Sequence, residues 1–372
     1  MNARGGIPCA RRLALAVLLC AQFSAVAGAQ GGPTLIPIDS VVFRENDSVF
    51  VGSVGGFAVS GAGQYFVADR RNYKVLEFSA DGQFIKAFGR RGRGPGEFTD
   101  PSAVALDGDS LLIVFGRPNL HVFDVRSGDL RWQRAPGAGV PSVLVVHAGR
   151  IFSNAVVTRE PSRRTSLAVV AEAHDAVAYG GPLPAPLGES RTIDRMYGFL
   201  QFALWGTDSV AVAFAGASDW IFLGRFGAPS TYDSIRVAPG FRRGGPTAGL
   251  LKRIVSTPDL VKPEETYALS APWALGRLSR GLIGYVTFDR DASVVSRMTG
   301  EIHASVIDAR SRQSCSDVLI PVPSDPQPRA LFRADTLFVL SQEETKDLQP
   351  RTIVRKYRLG IAQCKWVPSP QE

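Results

Sequence analysis

Gly55 to Gly89 reads "GGFAVSGAGQYFVADRRNYKVLEFSADGQFIKAFG", and Pro101 to Arg134 reads "PSAVALDGDSLLIVFGRPNLHVFDVRSGDLRWQR". Laid one above the other, Val59 falls on Ala105, Phe66 on Leu112, Asn72 on Asn119, Val75 on Val122 and Gly82 on Gly128, a period of about 46 residues. Each unit holds four short apolar runs. They are separated by turn signals such as Ala80-Asp81-Gly82, Asp107-Gly108 and Ser127-Gly128. Strand-length runs between such turns build a four-stranded antiparallel meander.

Beyond Arg134 the copies are degenerate, yet a turn followed by a short apolar strand recurs at Arg150-Ile151-Phe152, Ser209 to Val212, Leu282 to Val286 and Thr336 to Val339. With the first two units this makes six. A next strand follows at Val75 to Phe78, Val122 to Val125 and Trp220 to Leu223, and in the last unit at Ile353 to Tyr357, past a polar stretch from Gln342 to Gln349. Six four-stranded sheets set radially, each burying its faces on its neighbours, make an all-β six-bladed propeller.

The stretch "VADRRNYKVLEFSADGQFIKAFGRRGRGPGEFTDPSAVALD" carries V-A-D-x-x-N-x-x-V, F-x-x-D-G, G-x-x-G-x-G-P-G-E-F and P-x-x-V-A-x-D in succession. It resembles the NHL repeat over Gly55 to Asp124; later units share only the rhythm. The resemblance implies that "GRRGRGPGEF", residues 89–98, joins the outermost strand of one blade to the innermost strand of the next. Gly94 and Gly96 are then expected at positive φ, and Phe98 between blades. A phosphate-binding loop needs a helix after it, and here "TDPSAVALD" starts a strand.

Two segments depart from the rhythm and read as insertions. Arg159 to Arg195 is rich in Pro, Gly and Arg, and Gly240 to Thr266 places Leu250, Leu251 and Ile254 at helical spacing. The last unit is expected to complete its sheet with the strand near Ile36 to Phe43, closing the ring through the two chain ends.

The amino end predicts the compartment. Arg4, Arg11 and Arg12 precede an apolar run, Leu13 to Leu19, and Ala27-Gly28-Ala29 stands before Gln30 as a cleavage site. Residues 1–29 thus read as a secretory signal and 30–372 as one propeller domain, periplasmic or extracellular. A membrane anchor needs roughly 20 apolar residues, and this run is shorter. A lipid anchor on Cys20 is the weaker reading, because its motif calls for a small residue where Leu19 stands. No later stretch has transmembrane length.

Without the signal, 39 basic residues stand against 34 acidic, a formal charge of +5, and only seven of the basic residues in the whole chain are lysines. Mild basicity suits a protein, glycan or small anionic ligand; outside the cytoplasm a nucleic acid does not fit. Cys9 and Cys20 leave with the signal. Cys315 and Cys364 remain, an even pair that reads as one disulfide.

Catalytic signals are sparse. His121, His147, His174 and His303 show no metal-binding spacing, and no G-x-S-x-G is present. Asp69 and Asn72 read as turn stabilisers before metal ligands. Some propellers of related shape are calcium- or zinc-dependent enzymes, lactonase or lyase-like, and such an enzyme is the alternative to a binding or scaffold module. No cofactor and no catalytic residue is assigned. The sharper expectation is geometric. Inter-blade connections and second-to-third strand turns emerge on one face, so Arg70, Arg71, Arg90, Arg91, Arg93, Arg117, Arg242 and Arg243 form an arginine rim. Guanidinium forks suit carboxylate, sulfate or phosphate.

Overall fold

A computed structural model describes residues 31–136, 141–160, 163–170, 176–179, 199–205, 209–225, 228–237, 246–257, 270–290, 300–323, 327–344 and 350–370. Among them the strands form six blades, all antiparallel. The first blade is Val54–Val59, Tyr65–Asp69, Lys74–Phe78 and Phe84–Phe88, innermost strand first, and the second runs from Pro101–Asp107 to Leu130–Arg134 in the same order. The repeat alignment therefore marks the blade boundaries. All four later starts, at Arg150, Ser209, Leu282 and Thr336, begin the second strand of a blade.

The ring closes as the chain ends predict. Thr34–Val42 pairs antiparallel with Pro350–Gly360 and becomes the outermost strand of the sixth blade. Glu45 locks the seam: its carboxylate accepts from the backbone N–H of Val51 at 2.6 Å and of Thr352 at 2.9 Å. The fifth blade has an extra strand, Val367–Pro368, paired with Gln313–Ser314. Beside it Cys315 and Cys364 are disulfide-bonded, their Cα atoms 5.6 Å apart, so the segment after the sixth blade is tied to the fifth.

One apolar cluster lies at each blade–blade junction. Between the first two blades, Ala58, Phe66 and Phe88 meet Val104, Leu112 and Phe123; at the closing seam, Tyr65 and Phe78 meet Leu340 and Val354. Alternation along each strand puts one face toward each neighbour, which is why the blades are mutually dependent. The helix expected between Gly240 and Thr266 spans Ala248–Ser256. Thr247 Oγ1 caps it by accepting from Leu250 N at 3.2 Å, and it sets Leu251 and Ile254 into the junction of the third and fourth blades.

The expected insertion from Arg159 to Arg195 needs correcting. Arg163–Val170 and Ala176–Tyr179 are the third and fourth strands of the third blade. These strands contain neither Pro nor Gly, and the Pro- and Gly-rich remainder, 180–195, lies outside the described residues.

"GRRGRGPGEF" is the inter-blade connection. Arg90–Arg91 pairs with Glu97–Phe98 as a two-stranded parallel clasp, and Phe98 is fully buried, within 4.8 Å of the His121 ring centroid. Burying such a ring contributes about 1.5–3 kcal/mol. A side chain at Gly89 would collide with Phe98, and the φ of 73° there already favours glycine. Gly96 has the expected positive φ, 71°. Gly94 does not: the positive angles of this loop fall on Gly89, Gly92 and Gly96.

Candidate functional site

The six innermost strands start on one face and surround a central channel of about 740 Å³. The first of them opens with Val54-Gly55-Gly56. A Cβ on Gly55 would meet the carbonyl of Pro101 and would crowd Arg70 Cγ at 3.0 Å. Its absence lets the Arg70 side chain lie across the strand end and line the channel mouth. In the neighbouring sixth blade, Arg329 begins the innermost strand, and its Nη2 donates to Val54 O at 3.1 Å. Among the described residues lining the channel, the charged ones are Arg70, Arg329 and Arg333; none is acidic.

Arg329 differs from the surface arginines. Its Nε is sealed from solvent and has no hydrogen-bond partner. Burial, and secondarily the positive charge of Arg70, lowers its pKa to about 10, so it remains cationic at neutral pH. Its guanidinium lies 5.4 Å from the ring of Trp273, whose indole N–H donates to Pro328 O at 2.7 Å. Sequence reasoning missed both. Arg329 stands in a plain "RALFR" strand, and only the ring topology brings it against Val54, 275 residues away.

The expected rim residues are distributed as follows. Arg70 makes a two-point pair with Asp100, at 2.7 and 3.2 Å, and Arg117 reaches the same carboxylate at 3.8 Å. Arg90 pairs with Glu97 at 2.9 Å; Arg91 lies over the Tyr73 ring at 5.0 Å. Arg71 and Arg93 are exposed. The connection and the second-to-third strand turn of the first blade thus meet on one face. Arg242 and Arg243 lie outside the described residues.

Asp69 is fully buried, and its carboxylate accepts from the N–H groups of Gly52, Ser53, Arg71 and Asn72 at 2.8–3.2 Å and from Asn72 Nδ2 at 2.7 Å. Asp69 and Asn72 therefore organise the turn, as the motif reading expects. His121 is buried with Nε2 on Gly116 O at 3.2 Å, His147 is exposed, and His303 Nδ1 meets Asp289 Oδ2 at 2.8 Å. His174 lies outside the described residues. Among the described residues, no group of three or more His, Cys, Asp or Glu side chains could hold a metal ion, and no helix is long and apolar enough to cross a membrane.

The fold and its channel define the class, a six-bladed propeller. Residues 41–135 match the DUF5128 family, described as a 6-bladed beta-propeller. No curated protein matches the chain. A member of the DUF4221 family from Bacteroides vulgatus is similar in structure at 9% identity, with a TM-score of 0.57 over 89% of this chain and 99% of that one. A Bacteroides fragilis protein described as exported is similar at 14% identity, with a TM-score of 0.55 over 90% and 97% of the two chains.

Proposed function

We propose that the chain is an exported, NHL-like propeller that acts as a binding module and takes an anionic ligand on its arginine-bearing face. The observation that carries this reading is the channel mouth, where Arg70 and Arg329 approach each other and no acidic side chain joins them in the described lining. Arg70 is about half exposed and its pair with Asp100 is a surface pair. Such pairs contribute about 0–1 kcal/mol, so an incoming carboxylate, sulfate or phosphate can compete for the fork. Arg71, Arg90, Arg91, Arg93 and Arg117 extend the positive field outward, and Arg242 and Arg243 belong to the same proposal. Export rests on the amino-terminal pattern, with cleavage before Gln30. The Cys315–Cys364 bond supports it, as does the Bacteroides fragilis protein of like fold that is described as exported.

The test is capture on heparin resin at low salt. Arg90, Arg91 and Arg93 changed together to Ser leave stability within about 0.5 kcal/mol of wild type, since the three are exposed. They weaken capture, and the difference fades as salt screens the charges. Equal capture by both proteins at low salt would refute the outer rim as part of the site.

A further inference from the structure

Apart from its arginines, Ser142 and Gln201, the described lining of the channel is apolar, with the exposed ring of Phe199 and the half-buried ring of Trp273 in it. A volume of about 740 Å³ is far larger than an inorganic anion needs and falls in the range of sites for organic molecules, about 300–1,000 Å³. At the mouth stands Arg329, with one nitrogen committed to Val54 O, another buried without an acceptor, and, among the described residues, no carboxylate partner. Burying a cation without a counter-ion is costly, and a ligand anion recovers part of that cost. Next to it the Trp273 ring is fixed by its bond to Pro328 O and by packing on Phe288, centroids 5.1 Å apart. A fixed aromatic wall beside an unpaired guanidinium matches a molecule with an acid at one end and a flat apolar body at the other.

We propose that the channel binds an amphiphilic carboxylate, its acid group on Arg329 and its apolar body against Trp273 and the apolar lining. The acid group is assigned to Arg329 rather than Arg70 because Arg70 reaches an incoming anion only by giving up Asp100, whereas Arg329 has no acidic partner among the described residues. The inference rests on the arginine face being an anion site and names the ligand class that enters it.

Isothermal titration of the purified chain with 2-naphthaleneacetate, its uncharged amide and acetate tests this. Naphthaleneacetate should saturate a single site, the amide should bind at least about tenfold more weakly, and acetate should not saturate. Arg329→Gln should bring naphthaleneacetate down to the level of the amide and leave the amide unchanged. Gln201→Trp, which narrows the channel at a lining residue outside the apolar clusters and leaves the charge unaltered, should abolish binding of both and leave heparin capture intact. Melting curves establish that each variant is folded; if Arg329→Gln is not, Gln201→Trp and the three-ligand comparison on wild type decide. Equal affinity for acid and amide, or no binding of either while heparin capture still depends on the rim arginines, would overturn the channel inference and leave the arginine-face reading standing. Loss of both would overturn both.

Discussion

His121 shows how the fold places a titratable group where it must stay neutral. Its ring meets Phe98 edge-on and lies over Phe123, Nε2 faces Gly116 O, and Nδ1 is sealed without a partner. Burial lowers its pKa below the usual 6.5, more than the Gly116 bond raises it. The unfolded chain therefore takes up this proton first. The stability His121 permits is whole above about pH 6.5 and declines as pH falls toward the folded value. Thermal melts of wild type should drop between pH 7 and 5 more steeply than those of His121→Phe. Parallel pH profiles would mean that this ring does not govern the slope. Arg329 makes the opposite point at the same scale: burial lowers its pKa too, yet it keeps its charge at neutral pH because the value stays near 10.

Among the elements, the carboxy-terminal tail is the one that reaches across blades. The Cys315–Cys364 bond spans a sequence separation of 49 residues and fastens the strand Val367–Pro368 to the fifth blade, next to the sixth, which depends on the far amino-terminal strand for completion. Changing both cysteines to Ser should cost about 2–4 kcal/mol, as expected for a loop of this length. Denaturant unfolding checks it; an unchanged midpoint would show that the bond staples nothing. This scale is also where the sequence was most legible. The turn glycines and the Asn72/Asn119 position repeat with a period near 46, and each feature is local, so the first two blades could be read from the chain directly. The third blade was not, because the link Ala171 to Asp175 has no Gly or Asn of the kind that marks turns in the first blades, and the Pro and Gly outside its strands, at Pro161 and from Gly180 to Gly188, made the whole segment read as an insertion. Positive φ was misassigned to Gly94 for a related reason: the motif marks the loop but not which glycine turns it.

At the scale of the whole molecule, closure creates what no blade contains. Val54, Trp273 and Arg329 belong to the first, fifth and sixth blades and meet only when the ring is shut. The positions of Arg70, Arg71, Arg90, Arg91, Arg93 and Arg117 were legible because they lie in or beside the recognisable loops of the first two blades. The channel cation was not, because its environment is set by contacts hundreds of residues apart. The account stands on that mouth being an anion site. Anomalous diffraction from crystals soaked in bromide tests it most directly: a bromide peak beside the guanidiniums of Arg70 and Arg329, absent from Arg329→Gln crystals, is the predicted result. Bromide bound elsewhere on the surface with the channel mouth empty would contradict it.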